Sequence, residues 1–457
     1  MPKRPNVVFV FADQWRQQAT GFNGDPNVST PHIDRLAGES IQFPYAVSGF
    51  PVCSPYRACF LTGQRALTHG VFVNDVTLDP EAHTVGKVFA RNGYRTAYIG
   101  KWHLDGHGRS NPIPPERRQG FEYWKVLECT HNYPNSAYYS GDSDEQVFWD
   151  GYDANAQTGD AVQYIREADP GKPFFLVLSW GPPHNPYETA PKEFRDLYDP
   201  DSLTLRPNVP EGMEAEARKW LAGYYAHCSA LDACVGRLRE ALRESGQDQD
   251  TLFIFTSDHG DMLGSQGHAR KQRPWDESIR VPFLLRFPSR FGDAPRTCDA
   301  LIDAPDIMPT LLGLCGMEIP QSVEGLDYSG YLQGGQDPSE GAALITCYHT
   351  FGEWTGERAS PAGTSAHVYR GLRTRRHTYV RSLDGPWLFY DNEADPFQMR
   401  NLAGLTQYAE IQDQLDARLT EKLASLGDAF LPGREYVRKW GYPVDDTGTV
   451  PSYKNKR

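Results

Sequence analysis

Val7-Val8-Phe9-Val10-Phe11-Ala12-Asp13-Gln14 sets an unbroken apolar run directly before a carboxylate and an amide. A run this short and this uniformly apolar fits a strand buried on both faces, as in a parallel sheet covered by helices. The same texture recurs outward from it. Phe174-Phe175-Leu176-Val177-Leu178, Thr251-Leu252-Phe253-Ile254-Phe255 and residues 282–287 read as further strands. A helix over 83–92 stops at Gly93 and leads into a strand over 96–99, while helices over 160–168 and 214–245 precede the next two strands. This alternation predicts an α/β fold with a large, mostly parallel sheet flanked by helices. Ligands in such sheets gather beyond the carboxyl ends of the strands. Asp13-Gln14, Lys101-Trp102-His103, Pro183-His184 and Asp258-His259 all stand there.

Past Gly325 the texture changes to a Gly/Asp/Ser-rich stretch over 334–341. Short strands over 378–381 and 387–390 then flank an Asp-Gly-Pro turn, and a helix covers 408–426. We therefore expect a catalytic α/β domain at 1–335 and a smaller C-terminal α+β domain, an antiparallel sheet with a helix, at 336–457. No run of about 18 apolar residues is present to cross a bilayer. Met1-Pro2-Lys3-Arg4-Pro5 passes straight into the first strand without the length or cleavage site of a signal peptide. The chain as written reads as cytoplasmic, or as periplasmic or secreted if a signal has been removed. The eight cysteines include no Cys-x-x-Cys pair and read as free thiols. A net charge of −13 argues against nucleic acid and anionic membranes as partners, and obliges any anionic substrate to find a locally positive pocket.

Cys53-Ser54-Pro55-Tyr56-Arg57 continues into Ala58-Cys59-Phe60-Leu61-Thr62-Gly63. Pro51 and Pro55 disfavour helix just before themselves, whereas residues 57–61 tolerate it, so Cys53 is expected at a helix N-terminus. Free N–H groups and the helix dipole favour an anion there and depress a thiol pKa. Arg57, one turn on, brings a fork of donors to the same spot. The segment resembles the Cys-x-Pro-x-Arg signature of the type I sulfatases, of the alkaline phosphatase superfamily. That resemblance implies an alkaline-phosphatase-like fold. It also implies that a maturation enzyme oxidises Cys53 to Cα-formylglycine (3-oxoalanine), whose hydrate is the nucleophile.

Two carboxylates, an amide oxygen and an imidazole, from Asp13, Asp258, Gln14 and His259, suit a hard divalent cation. Calcium is the first expectation, with Mn²⁺, Mg²⁺ and Zn²⁺ left open by the imidazole. Together with Cys53 they resemble the sulfatase metal cluster. Many members of that family carry Asp where Gln14 stands and Asn where His259 stands. The Gln/His variant is similar to choline sulfatases and phosphonate monoester hydrolases. It leaves two ligand carboxylates, hence a less neutralised cation with more attraction for an anionic ester.

Gly100-Lys101-Trp102-His103 resembles the family's Gly-Lys-Trp-His element, which implies that Lys101 binds the ester oxygens and His103 accepts the proton when the aldehyde is regenerated. On an extended segment Lys101 and His103 would face the same side. The Pro-His-x-Pro turn at 183–186 implies a substrate contact for His184, and Lys271 matches the lysine on the leaving-group side. Candidate substrate-binding residues are Asn74, His107, Arg109, Trp149, His349, Trp354 and Arg358. The tryptophans could equally be packing, and the arginines surface charges. The reading is a sulfatase acting on a sulfate monoester of a sulfated carbohydrate. The alternatives are a phosphonate monoester or phosphodiester hydrolase with the same nucleophile, and a silent binding protein for sulfated ligands. Oligomeric state is not legible.

Overall fold

The computed structural model describes residues 4–350, 368–445 and 448–450. Ten strands form one sheet: β1 (Asn6–Asp13), β2 (Ile41–Gln42), β3 (Arg95–Lys101), β4 (Tyr123–Leu127), β5 (Ala137–Ser140), β6 (Val147–Phe148), β7 (Phe174–Pro183), β8 (Thr251–Ser257), β9 (Leu284–Arg286) and β10 (Arg296–Thr297). Their order across the sheet is β10-β2-β9-β8-β1-β7-β3-β4-β5-β6. The apolar run Val7–Ala12 lies in the strand between β8 and β7. β1 pairs in parallel with β7 on one side and β8 on the other, and β3 continues in parallel beyond β7. Its alternate side chains feed two separate cores, Val7, Phe9 and Phe11 into one and Val8, Val10 and Ala12 into the other. Helices cover both faces, which is why a continuous apolar run rather than an alternating one marks the strand.

Two local expectations are corrected. The strand expected over 282–287 is β9, and it runs antiparallel to β8. The helix expected over 160–168 begins earlier and spans Asp153–Arg166. Its first half is rich in small and polar residues that predict poorly from propensity. Tertiary contact overrides that: Thr158 accepts from Trp180 Nε1 at 3.2 Å while donating to Ala154 O at 2.6 Å. β4, β5 and β6 extend the sheet with short, partly polar strands that carry no clear period. All eight cysteines are free, as expected. Among the described residues no helix is long and apolar enough to cross a membrane.

β11 (Ala342–Cys347), β12 (Tyr369–Thr374), β13 (His377–Ser382) and β14 (Gly385–Asp391) form a second, wholly antiparallel sheet in that order. Leu415, Leu419 and Leu423 of the Ala409–Ser425 helix close one face against Leu344, Leu372 and Phe389. The other face packs Ile345, Tyr369 and Tyr390 against Met262, Trp275 and Ile279 of the larger unit. Trp275 Nε1 donates to Tyr390 Oη at 3.1 Å, and Arg373 donates to both oxygens of Asp276 at 2.9 Å. The small sheet thus buttresses the segment that carries Lys271.

Candidate active site

Because β8, β1, β7 and β3 lie side by side and parallel, their carboxyl ends open on one edge. Asp13 ends β1, Lys101 ends β3, His184 follows β7, and Asp258 and His259 follow β8. Gly100 takes a φ of +103°, and a Cβ there would lie 2.1 Å from Ser179 O, so only glycine allows β3 to approach β7 where Lys101 is delivered. Gln14, Asp75 and His103 also hold left-handed φ values of 74°, 64° and 59°. Such conformations are uncommon for non-glycine residues and gather where a site over-determines the backbone. His103 therefore leaves the strand with a left-handed backbone, which corrects the extended segment expected there, although it and Lys101 both face Cys53.

Cys53 is the first residue of the Cys53–Thr62 helix. Its neighbour's amide, Ser54 N–H, donates to Asn74 Oδ1 at 3.0 Å, and Ser54 Oγ donates to His103 O at 2.7 Å. Cys53 is buried. Lys271 Nζ donates to Cys53 Sγ at 3.2 Å and to His184 Nε2 at 2.6 Å. His184 Nδ1–H is directed at Asn185 O at 2.8 Å, which leaves Nε2 to accept. His259 Nε2 lies 3.4 Å from the sulfur, and Asp13 Oδ1 lies 3.6 Å from it. Burial and Asp13 oppose a thiolate, yet Lys101, Lys271 and His259 outweigh them and hold Cys53 well below the ordinary thiol range.

Oxygen and nitrogen donors converge on the same spot. Ligand atoms of Asp13, Cys53, Asp258 and His259 all lie within 4.8 Å of one another, and all four residues are buried. His259 donates Nδ1–H to Gly260 O at 3.0 Å, so its Nε2 lone pair faces the carboxylates. Gln14 Oε1 is buried with no hydrogen-bond partner, although its Nε2 donates to Asp261 Oδ2 at 2.7 Å. A buried amide oxygen without a donor is costly and is what a cation would satisfy. The donor set fits a hard divalent ion held by Asp13, Gln14, Asp258 and His259.

The Arg57 fork, expected beside Cys53, is spent on the strand ends around it. One terminal nitrogen donates to Asp13 Oδ2 and to Asp258 Oδ2, both at 3.2 Å, and the other to Lys101 O and Ser179 Oγ at 2.8 and 2.7 Å. It ties two strand ends to the two carboxylates. Lys101 Nζ donates to Asp13 Oδ2 at 2.5 Å. Burial opposes charge on Asp13, but Lys101, His184, Lys271 and His259 keep it ionised, well below the usual carboxylate range. Burial, with Asp13 alongside, instead pushes Asp258 upward. His103 Nε2 faces Asp75 Oδ1 at 3.2 Å. Burial opposes the imidazolium, yet Cys129, Asp75 and Cys53 lift His103 to about 9.

The remaining candidates divide. Asn74 caps the Cys53 helix, and Arg109 grips Asp75 through Nε and Nη2 at 2.8 and 2.7 Å, so both support the site's floor. His107 is half exposed beside Asp105. Trp149 is 5% exposed, stacks on Tyr138 at 4.3 Å and donates to Asp160 at 2.9 Å, which makes it interior packing rather than a cleft wall. His349 is buried against Gly433, where a Cβ would lie 2.9 Å from its Nδ1, and so packs beneath the C-terminal segment. Trp354 and Arg358 lie outside the described residues. Sequence reasoning missed His131, stacked on His184 at 4.6 Å, and Asp75, Glu128 and Asp261. Asp261 stands two residues beyond the Asp258-His259 pair, and that spacing could have flagged it.

A sulfatase family model matches residues 5–317, and a model described as N-sulphoglucosamine sulphohydrolase, C-terminal, matches 264–425. An ulvan-active sulfatase of Formosa agariphila is 43% identical over 96% of this chain and 85% of its own length. An endo-4-O-sulfatase of Bacteroides thetaiotaomicron is 32% identical over 93% of each chain. A solved structure from work on glycosaminoglycan metabolism in the same bacterium superposes with a TM-score of 0.85 at 31% identity, covering 96% of this chain and 98% of the other. The chain belongs to the sulfatase family of the alkaline phosphatase superfamily. It is a sulfuric ester hydrolase, and the sulfatase reading stands ahead of the phosphonate and phosphodiester alternatives.

Proposed function

We propose that the enzyme hydrolyses sulfate monoesters carried on an anionic carbohydrate, with Cys53, matured to formylglycine, as nucleophile and with a calcium ion at Asp13, Gln14, Asp258 and His259. One observation carries this reading. An acidic protein of net charge −13 nevertheless gathers three buried or half-buried cations around the helix N-terminus at Cys53, with Arg57 and Lys101 on Asp13 Oδ2 and Lys271 on Cys53 Sγ. The related ulvan-active and endo-4-O sulfatases direct attention to sulfated polysaccharides.

Within that reading each side chain has a task. The cation, when bound, supplies a Lewis acid for an ester oxygen. The aldehyde supplies, as its hydrate, a hydroxyl nucleophile and a later exit for sulfate. Lys101, anchored on Asp13, holds the anionic group beside Cys53. Lys271 donates toward Cys53 Sγ and toward His184, a pair placed to protonate a departing sugar oxygen. Asp75 fixes the ring of His103, which can exchange a proton beside residue 53 and accepts one only from its neutral form. Trp149 and His349 have no part in this arrangement. Sulfate release from sulfated ulvan or glycosaminoglycan oligosaccharides, compared with a 4-nitrophenyl phosphodiester, tests the assignment. A higher kcat/KM on the phosphodiester than on every sulfated oligosaccharide would refute it.

A further inference from the structure

Gln14 occupies a position where ambiguity is dangerous. A carboxamide presents oxygen one way round and NH₂ the other, and only the oxygen can bind a cation. Its main chain is already fixed, with Gln14 N–H donating to Asp258 Oδ1 at 3.0 Å and Gln14 O accepting from Tyr224 Oη at 2.7 Å. What is left to decide is the orientation of the side-chain amide.

Asp261 decides it. Its Oδ1 accepts two backbone amides, Leu263 N–H at 3.1 Å and Arg270 N–H at 2.9 Å. Its Oδ2 accepts Gln14 Nε2 at 2.7 Å and Tyr187 Oη at 2.6 Å. The carboxylate is fully buried and has only acceptors to offer. Gln14 must therefore turn its NH₂ toward Asp261, and the buried, unpartnered Oε1 points the other way. Tyr187 keeps its proton, since burial and Asp261 both push the phenol upward, and so occupies Oδ2 as a donor without competing for the amide's orientation.

We propose that Asp261 is a positioning residue that locks the Gln14 amide with its oxygen toward the cation, so that Gln14 and Asp261 work as one coupled unit. The inference rests on the cation-site reading and not on the identity of the sulfated substrate. The test is calcium binding by isothermal titration on the intact protein, with apo-protein melting as a check on folding. In Asp261→Asn the two backbone amides hold the new amide's oxygen at the Oδ1 position, which puts its NH₂ against Gln14. Gln14 must then flip or lose its bond, and calcium affinity should fall by about 10- to 100-fold, as outer-shell substitutions do. Adding Gln14→Glu restores an acceptor on both sides, so the double variant should regain affinity to within about threefold of the parent. Tyr187→Phe removes a bond to the same oxygen without inverting any polarity and should cost less than about threefold.

Undiminished calcium binding by Asp261→Asn would overturn the proposal, and so would a double variant no better than the single. An equal loss in Tyr187→Phe would also do so, by showing general loosening. If Asp261→Asn alone fails to fold, recovery of a folded, calcium-binding protein on adding Gln14→Glu supports the coupling, and failure to recover refutes it. A parent that binds no divalent cation would remove the cation-site reading itself and this proposal with it.

Discussion

Two buried arginines, one in each sheet's territory, show what separates a site from a strut. Arg370 of β12 makes a bidentate pair with Asp428, donates to the carbonyls of Cys347 and Tyr369 and to Tyr436 Oη, and lies 3.9 Å over the Tyr348 ring. One cation meets one carboxylate, and each of its nitrogens has a partner. Arg57 is equally buried, but it divides one nitrogen between Asp13 and Asp258, and its Nε has no partner. Around it Gln14 Oε1 and His103 Nδ1 are unpartnered as well. The Arg370 cluster is complete by itself. The Cys53 cluster is complete only with something more inside it, which is how a cation and an ester anion would be received.

Substitutions should separate the two clusters, and the largest effect belongs to the nucleophile. Cys53→Ala should lower sulfate release by about 10⁴-fold or more with little change in the melting curve. Arg370→Met should do the opposite. Stranding the Asp428 carboxylate should cost about 3–5 kcal/mol in denaturant unfolding while kcat stays near the parent value. A large loss of kcat in a still-folded Arg370→Met would break the contrast.

A smaller effect concerns Glu128, whose carboxylate accepts the amides of Leu104, Asp105 and Gly106 at 3.2, 2.8 and 3.1 Å and so shapes the loop after His103. Burial, with Asp105 nearby, pushes Glu128 up to about 7 despite those donors. Folding therefore favours its protonated form, and the stability this contributes is full below the unfolded carboxylate value and lost as pH rises through about 7. The stability difference between the parent and Glu128→Gln should shrink by up to about 3 kcal/mol between pH 4.5 and 8, measured by urea unfolding. A difference that grows with pH would show the carboxylate to be stabilised as the anion. Smaller again is the response to chelation. Calcium at about 100 times its Kd should add about 2.7 kcal/mol to unfolding, and that increment should vanish in Asp13→Asn.

The same contrast explains what the sequence disclosed. The four strand exits were legible because long apolar runs stop abruptly at Asp13, Lys101, Pro183 and Ser257. The helix N-terminus at Cys53 followed from proline spacing. Arg57's inward role was not legible, since it depends on Asp258, 201 positions away. Asp75 was hidden for a similar reason, since its partners His103 and Arg109 lie 28 and 34 positions away. Trp149 looked like a cleft aromatic because composition cannot tell a ring stacked on Tyr138 from one facing a sugar.

The state of residue 53 tests the central claim most directly. Protein made in its native host should yield a peptide spanning residue 53 that is lighter than the encoded sequence by about 18 Da, the change from cysteine to formylglycine. That peptide should accompany sulfate-releasing activity. Full activity in a preparation whose residue 53 is entirely unmodified cysteine would contradict the account.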